Sequence, residues 1–307
     1  MESKAISIGY ISKVSAGNVN ASHTEGNVMV TKKVTLPDGT TLPYISGQAI
    51  RRMIRDRLYD LGEKLAETQY TVKGQEVTPL ARPWEFIDED LFGYLDPSGS
   101  KKRTSPVRVS AAVGLFPFRG DRDLGTRSFE KFGKTIGAGG NMFETEIYHN
   151  LFKGAILIEL DRIGRFPKLE TGEREDKEIK NDEKRNRVKK LLDAINILWG
   201  GGRTARMLVD VSPKFFGYVR LKVKYPVFLE NLEVKYEDGS LILLTEPIKA
   251  VLDKIKNYKE IAIFGYEKGM FANENEIISE LKKYGDVYEM SKAIAKAKED
   301  VDGLWKK

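Results

Sequence analysis

The chain has 307 residues, in which 51 Lys and Arg outnumber 45 Asp and Glu, so that the net charge is +6. It contains no Cys and only two His, which excludes disulfides and thiolate metal sites and leaves little material for a histidine-based zinc site or catalytic triad. The basic balance favours a polyanionic partner without requiring one. From this composition we expect no metal, no cofactor and few of the ordinary catalytic groups.

The sequence carries no signal for a membrane or for secretion. No stretch approaches about 18 consecutive apolar residues, and no charged segment followed by an apolar one stands near the N-terminus. We therefore expect a cytoplasmic protein without a membrane partner. A chain of this length can form one large domain or two ordinary ones, and length alone does not choose between them.

Residues 5–14 are predicted to form the first strand, because apolar residues occupy alternate positions from Ile6 to Tyr10. A small, polar and turn-rich segment follows it as far as residue 39, and this composition is typical of an exposed loop. Lys32 and Lys33 lie there within a short β-branched run, a pattern typical of a hairpin arm.

An amphipathic helix is predicted next, with Ser46 as its N-cap. Its apolar residues recur at helical spacing and are Ala49, Ile50, Met53, Ile54, Leu58 and Leu61. Its polar face concentrates positive charge, with Arg51, Arg52, Arg55 and Arg57 against Asp56 and Asp60. Two interpretations stay open, a solvated face and a phosphate-binding patch.

Two insertions separate the middle elements. Residues 62–103 are irregular and rich in aromatic residues, which predicts an inserted subdomain. Residues 107–115 alternate as a second strand, and residues 155–160 are almost continuously apolar, as in a central strand buried on both faces. Residues 119–150 join these two strands with a polar, glycine-rich segment, and a long insertion of this kind usually projects from the body.

A second helix, capped near Asn181 or Asp182, is predicted to end at three consecutive glycines, residues 200–202. Glycines leave backbone amides open to an anionic strand, and Arg203 and Arg206 add two guanidinium groups. A helix C-cap followed by a mobile loop explains the same residues. Both interpretations stay open at this point.

Residues 215–224 alternate as a fourth strand with one apolar and one aromatic and basic face. That second face suits base stacking with phosphate pairing, but also an ordinary exposed sheet face or one covered by another element. Further on, the pattern predicts a helix around residues 248–255, a short strand at residues 261–264, and helices at residues 275–284 and 289–299. The order strand, helix, strand, strand, helix, strand is that of the ferredoxin-like, RRM-type fold, so we expect an α+β protein with a βαββαβ core.

Five segments, taken in their order and spacing, resemble the DevR-like backbone subunits of CRISPR type I Cascade complexes, which belong to the RAMP superfamily. They are residues 18–27 (NVNASHTEGN), residues 44–52 (YISGQAIRR), residues 137–139 ahead of Phe143-Glu144-Thr145-Glu146, the strand ending at residues 160–164, and residues 200–203 (GGGR). The resemblance spans roughly residues 5–225. It implies a non-catalytic protein that polymerises head to tail along a CRISPR guide RNA and presents the guide for pairing with target DNA in antiviral defence.

The resemblance also implies partners and a division of the chain. The partners are the guide RNA, target DNA through guide pairing, neighbouring copies of the chain in a filament, and other Cascade subunits. The implied parts are residues 1–61 as the first half of the palm, 62–103 as inserted fingers, 104–118 as a palm strand, 119–149 as a projecting thumb, 150–225 as the second half of the palm and 226–307 as a C-terminal α/β elaboration.

The site residues implied by the resemblance fall into two sets. The set expected to contact guide RNA is Asn18, Asn20, Ser46, Gln48, Arg51, Arg52, Arg55, Met142 on the thumb, and Gly200, Gly201, Gly202, Arg203 and Arg206 in a glycine-rich loop. The set expected to contact target DNA is Lys32 and Lys33.

Two alternatives belong to other functional classes. A metal-dependent ribonuclease, as in backbone subunits of related RNA-targeting CRISPR complexes, would use Glu25 with His23 as a helper. One carboxylate amid Asn and Ser is explained by turn chemistry, and a two-metal site needs more acidic groups. A transcriptional regulator of duplex DNA would need a helix-turn-helix pair, which the sequence does not show. The sequence therefore predicts RNA binding without catalysis.

Overall fold

The computed structural model describes residues 3–73, 76–96, 99, 101–127, 141–201 and 207–306. Its strands are β1 (Ala5–Gly17), β2 (Ala21–Glu25), β3 (Val28–Thr31), β4 (Lys33–Thr35), β5 (Thr41–Ile45), β6 (Thr71–Lys73), β7 (Glu76–Thr78), β8 (Tyr94–Asp96), β9 (Lys101–Arg103), β10 (Val107–Val109), β11 (Ala112–Gly114), β12 (Gly120–Arg127), β13 (Asn141–Glu159), β14 (Arg165–Phe166), β15 (Lys177–Glu178), β16 (Pro213–Leu221), β17 (Val234–Glu237), β18 (Ser240–Leu243), β19 (Lys259–Tyr266) and β20 (Asp286–Glu289).

The helices are α1 (Gly47–Asp60), α2 (Ile87–Phe92), α3 (Lys168–Thr171), α4 (Asn181–Asn196), α5 (Thr245–Lys254), α6 (Glu274–Leu281) and α7 (Met290–Asp302), and a short 3-10 turn spans Ala66–Gln69. None of the helices in the described part of the chain is long and apolar enough to cross a membrane.

A large mixed sheet, with twelve strands among the described residues, organises the molecule. Its main path runs β20-β19-β16-β1-β13-β11-β5-β4, and β10 also pairs with β13. β1 lies between β13 and β16 and is antiparallel to both. The prediction of an α+β protein is confirmed in this form, a large central sheet with helices packed against it.

Both faces of the sheet are covered. On one face, Ile8 and Tyr10 of β1 pack in a core with residues of α1, α4 and α7. On the other face, Ile11 packs in a second core with Phe228 and residues of α5. This two-sided burial explains why successive residues of β1 are all apolar or small over residues 5–12.

The aromatic face of the fourth predicted strand is buried, so it is not a surface for nucleic acid. Phe216 and Tyr218 of β16 are 0% exposed, and the Tyr218 hydroxyl donates to Asp300 of α7 at 2.8 Å. β19 pairs with β16, and β20 pairs with β19. The described residues 226–306 therefore extend the same sheet and cover both of its faces.

Two glycines explain how the second core approaches the sheet. Gly9 of β1 and Gly217 of β16 lie opposite each other in the ladder. A Cβ on Gly9 would lie 2.2 Å from the Phe228 Cβ, and a Cβ on Gly217 would lie 2.6 Å from its Cζ. The paired glycines therefore leave a slot that the Phe228 ring fills.

The second predicted strand differs from the structure, because it is divided into β10 and β11. At the division, the Ser110 N–H donates to the Ala155 carbonyl at 2.9 Å, while the Ser110 Oγ accepts from the Ala155 N–H at 2.9 Å. A side chain thus replaces a backbone acceptor and interrupts the ladder. Gly47 at the start of α1 also approaches this point, since a Cβ there would lie 2.4 Å from the Val109 carbonyl oxygen.

The third predicted strand is much longer than residues 155–160. β13 has 19 residues, and its first part pairs antiparallel with β12 from Asn141 to Tyr148. β3 flanks this hairpin in parallel, with Glu144 opposite Val28. The limit at 149/150 between thumb and palm therefore falls inside one continuous strand, and the Gly137 segment lies outside the described residues.

Buried charges hold the inserted residues 62–103 on the core. Asp90 of α2 accepts from Arg103 Nη2 at 2.7 Å and from Arg187 Nη1 of α4 at 2.9 Å. The side chains of Asp90 and Arg103 are 0% exposed, and that of Arg187 is 3% exposed. Because buried charges are costly unless paired, this triad fixes the insertion against α4.

Candidate nucleic-acid interface

Three segments of the chain meet at one place, which we call the junction: residues 18–20 after β1, residues 46–51 at the start of α1, and residues 200–201. The Asn20 Oδ1 accepts a hydrogen bond from the Ser46 N–H at 2.7 Å, which ties the first segment to the second. The residues predicted to bind RNA that the structure brings together here are Asn18, Asn20, Ser46, Gln48, Arg51, Gly200 and Gly201.

Gly201 joins the third segment to the other two by close approach. A Cβ on Gly201 would lie 2.6 Å from the Val19 carbonyl oxygen and 2.6 Å from the Met53 Cε, and its φ is +85°. Both the contact distances and this left-handed backbone conformation favour glycine. Any side chain at residue 201 would push the loop away from the junction.

The start of α1 is suited to bind an anion. Ser46 caps the helix as predicted, since its Oγ accepts from the Ala49 N–H at 3.3 Å. The first turn contains no acidic residue, and Gln48 is exposed there. Unpaired N–H groups and the helix dipole make such a start positive, which favours phosphate.

Three of the four α1 arginines have acidic partners, so the positive patch is smaller than the sequence indicates. Arg57 is only 7% exposed and binds Asp60 at 2.8 Å. Arg52 and Arg55 share Glu67, at 3.0 and 3.8 Å. Arg52 is 63% exposed and also binds Asp56 at 2.8 Å, and ion pairs of so exposed a guanidinium are weak enough for a phosphate to compete with the two carboxylates.

Arg51 is in a different state from its neighbours. It is half-buried, and its Nε is buried without a hydrogen-bond partner in the part of the chain that the structure describes. Burial, and after it the nearby charge of Arg55, lower the pKa of Arg51. An arginine nevertheless stays protonated at neutral pH, so a phosphate beside it would supply the missing partner.

The glycines do not end α4, contrary to the prediction. α4 stops three residues before Trp199, and Trp199 forms an isolated β-bridge with Asp210. The Gly200 N–H donates to the Val209 carbonyl at 3.0 Å, so the base of the loop is closed and this amide is already paired. The prediction failed because glycine also serves loops that need a positive φ, which is +117° at Gly200.

Gly202, Arg203 and Arg206 lie outside the described residues. Their expected contacts with guide RNA stay predictions.

The two asparagines of the junction have different surroundings. Asn20 is half-buried and uses its Oδ1 to accept from the Ser46 N–H. Asn18 is 2% exposed, and within the described structure neither its Nδ2 nor its Oδ1 has a hydrogen-bond partner. An unpaired buried amide is costly, so that a ligand, an ion or a water molecule is expected to pair with it.

The two lysines predicted to contact DNA also differ. Lys33 Nζ lies 3.0 Å from both carboxylate oxygens of Glu146 and 4.3 Å from the centre of the Phe118 ring. Lys32 lies beside the junction, where its N–H donates to the Asn20 carbonyl at 3.1 Å. The charge of Lys33 is thus already paired within the molecule, and the DNA contacts of both residues stay predictions.

Met142 lies away from the junction, near the described end of the β12–β13 hairpin, and is 61% exposed. Leu124, also exposed, lies on the same face, because it is opposite Glu144 and Thr126 is opposite Met142. Met142 is six residues beyond Tyr148, whose hydroxyl accepts from the Val19 N–H at 3.3 Å. Six residues of strand span about 20 Å, so Met142 reaches well beyond the junction.

The residues of the ribonuclease alternative lie on β2. The His23 Nε2 is 3.1 Å from the Glu25 Oε1, and both side chains are 65% exposed. Across the described ranges, no group of three or more His, Asp or Glu side chains is placed to hold a metal ion.

Sequence reasoning missed two residues that position the junction. Trp199 precedes the glycines, and Arg57 donates from Nη1 to its carbonyl at 2.8 Å. Tyr148 fixes Val19, and burial raises the pKa of Tyr148 to about 12. The tryptophan next to three glycines was a readable signal, whereas the Tyr148 contact spans 129 positions and left no local pattern.

Comparison with known proteins gives one family and a shared fold. The sequence matches the family model described as CRISPR-associated negative auto-regulator DevR/Csa2 over residues 8–238. No curated protein matches the chain.

Two solved structures illustrate the shared fold. A chain of a "CRISPR RNA-guided surveillance complex, pre-nicking" is 14% identical with a TM-score of 0.64, and the match covers 97% of this chain and 100% of that one. A chain of a "CRISPR RNA-guided surveillance complex" is 17% identical with a TM-score of 0.60, covering 96% and 99%. At these identities the likeness concerns the fold alone.

Proposed function

The chain belongs to the DevR/Csa2 family of CRISPR-associated proteins, and from this premise we propose that it is a non-catalytic subunit that binds a CRISPR guide RNA. In this proposal it polymerises along the guide within a type I Cascade surveillance complex in the cytoplasm. It presents the guide for pairing with target DNA and contacts other Cascade subunits, which serves antiviral defence.

The observation that carries the proposal is the junction. Residues far apart in sequence converge there on an acid-free helix start, with Arg51 half-buried and lacking an acidic partner among the described residues. Asn18 adds a buried amide without a partner. These groups recognise phosphate and ribose oxygens and are indifferent to base identity.

Such a site fits a guide-presenting role. Backbone contacts hold an RNA strand whatever its sequence, while base pairing with a second strand supplies specificity. The protein then needs no pocket for a particular base.

The fold supports a palm that carries two projections. The order β16-β1-β13-β10, with α1 and α4 on one face, supports the ferredoxin-like core with residues 62–103 as fingers and the β12–β13 hairpin as part of a thumb. A heterologous contact between successive copies would generate an open filament, and the guide length would decide where it stops.

The test is the salt dependence of RNA binding. Arg51→Ala is expected to weaken binding to unrelated guide sequences and to lower the slope of log affinity against log salt by about 0.7, the value for one lost phosphate contact on a single strand. Lys283→Ala removes the same charge from an exposed position two residues after the end of α6 and serves as the control. An Arg51→Ala slope equal to that of the control removes Arg51 from the site.

Incubation with Mg²⁺ or Mn²⁺ and a target strand paired to the guide separates this function from its alternative. We expect intact target strands. Regular cuts that disappear in Glu25→Ala would replace the proposal with the metal-dependent ribonuclease.

A further inference from the structure

Trp199 stands at the base of the loop with a fixed and partly exposed ring. Arg57 holds it from α1 in two ways: Nη1 donates to the Trp199 carbonyl at 2.8 Å, and the guanidinium lies 4.2 Å from the centre of the indole. Arg57 is itself held by Asp60 at 2.8 Å. The bridge to Asp210 fixes the backbone, so both the position and the plane of the ring are set.

The ring has one surface left for a ligand. Trp199 is 40% exposed, although Arg57 covers one face of its indole. The exposed area therefore belongs to the opposite face and the edge. A single exposed aromatic ring is common at protein surfaces, but this one is held in place beside the proposed phosphate contacts, where a base of the bound strand can reach it.

We propose that Trp199 is a stacking platform for one nucleobase of the bound single-stranded RNA. This inference rests on the proposed function and adds a base contact to the phosphate contacts of the junction. Every nucleobase has a π face, so stacking on an indole tolerates any sequence. Trp199 is bonded through Gly200 to the loop that packs on Met53 and Val19, so a strand at the junction passes next to the ring.

The prior fixing of the ring strengthens this contact. A free tryptophan loses rotamer freedom when a base stacks on it, whereas a ring already held by Arg57 loses little. Arg57 is thus a positioning residue rather than a fourth phosphate ligand, which agrees with its burial and its pair with Asp60.

The test compares two RNAs and three proteins. The RNAs are a labelled single strand of mixed sequence and a ribose-phosphate oligomer of the same length without bases. The proteins are the full-length wild type, Trp199→Leu, which keeps apolar bulk but has no π face, and Trp199→Phe, which keeps a smaller aromatic ring.

We expect Trp199→Leu to bind the base-bearing RNA roughly ten-fold more weakly, the lower part of the range for one stacked base, with the salt slope unchanged. Its affinity for the abasic oligomer should equal that of the wild type. Trp199→Phe should recover most of the loss. Thermal unfolding of all three proteins checks that the fold is kept.

Each other result decides against the inference. Equal losses on both RNAs assign Trp199 to holding the loop, and no loss on either assigns its exposed face to a protein contact. A wild type that binds neither RNA overturns the proposed function and this inference with it, whereas the first two results leave the proposed function standing.

Discussion

Arg51 and Asn18 each keep a buried polar atom without a hydrogen-bond partner in the described structure, a state shared by a few residues elsewhere, such as Tyr10 and Ser12. Arg52, Arg55 and Arg57, on the same helix as Arg51, all have acidic partners. The difference between these arginines is made by residues packed around them, so their charges alone do not predict it. At the residue scale, an unpaired polar group that lies at the junction is a stronger argument for a ligand contact than the count of positive charges.

Asn18 gives a prediction at this scale. Asn18→Ala removes a buried amide that the fold leaves unpaired, so the free energy of unfolding should stay within about 1 kcal/mol of the wild-type value or rise. Guide RNA affinity should fall roughly ten-fold, because the RNA groups that pair with the Asn18 amide lose their hydrogen-bond partner. Chemical denaturation and RNA titration measure the two effects.

The matched control is Asn150→Ala. Asn150 is 1% exposed, but its amide is satisfied by Phe116, with hydrogen bonds of 3.2 and 2.8 Å. Its loss should lower the free energy of unfolding by about 2 to 4 kcal/mol, since two backbone groups lose their partners. If Asn18→Ala destabilised the protein as much as this control, Asn18 would have a structural role only.

At the element scale, some elements could be read from the sequence for physical reasons. The first strand and α1 are local patterns: alternation over residues 5–14, and a cap at Ser46 followed by a 3.6-residue apolar period. The contact between Trp199 and α1 could not be read, because Arg57 is 142 positions away. Sequence reasoning therefore found the helix and the loop but not what holds them together.

In the long strand β13, the sequence pattern predicted only the buried end and missed the rest of the strand. Residues 155–159 are buried on both sides and read clearly as a strand. Residues 142–147 lie in the hairpin, where all side chains except the buried Thr145 are exposed or half-buried, so that polar residues such as Glu144 and Glu146 are tolerated. No apolar alternation is required there, so the period that reveals a half-buried strand is weak.

Glu159, the last residue of β13, gives a pH prediction. Its carboxylate accepts from Arg108 at 2.6 Å, Arg162 at 3.2 Å and Lys224 at 3.3 Å. Burial alone would raise the pKa of Glu159, but these hydrogen bonds outweigh it and lower the pKa below its ordinary value. The stabilisation by Glu159 is therefore complete above the pKa that its carboxyl has in the unfolded chain, near 4.3. It is lost as the pH falls through the lower pKa that the carboxyl has in the folded protein.

Glu159→Gln should accordingly lower the free energy of unfolding by about 2 kcal/mol at pH 7, and the difference from wild type should shrink below about pH 4. Denaturant titrations across this range measure it. Glu237→Gln, on the exposed β17–β18 hairpin, should show no such dependence. If the difference in free energy of unfolding between wild type and Glu159→Gln stayed constant down to pH 3, Glu159 would not be the source of the pH dependence.

For the whole molecule, the buried triad predicts that insertion and core unfold together. Arg187→Met leaves Asp90 with one of its two arginines and removes hydrogen bonds to the Pro83 and Trp84 carbonyls, at 2.7 and 3.0 Å. Because this change breaks a buried ion pair, it should lower the free energy of unfolding by about 3 to 5 kcal/mol. Fluorescence and circular dichroism should follow one coincident urea transition in both proteins.

Arg82→Met is the control, because Arg82 and its partner Glu85 are each 43% exposed. Arg82→Met should change the free energy of unfolding by less than about 1 kcal/mol. Two separate transitions in the wild type would instead mean that residues 62–103 fold as an independent unit.

The unbroken path of β13 gives the molecule a mechanical property. Its 19 residues, at about 3.3 Å each, span about 60 Å, and the inner part is hydrogen-bonded by β1 on one side and by β10 and β11 on the other. The hairpin is therefore a cantilever clamped in the core, and β1 has a register shift between Val14 and Gly17 beside its root. Tension applied at Met142 loads the ladders of β13 in shear, so many bonds resist together, and the strain passes Tyr148 and its bond to Val19 on the way.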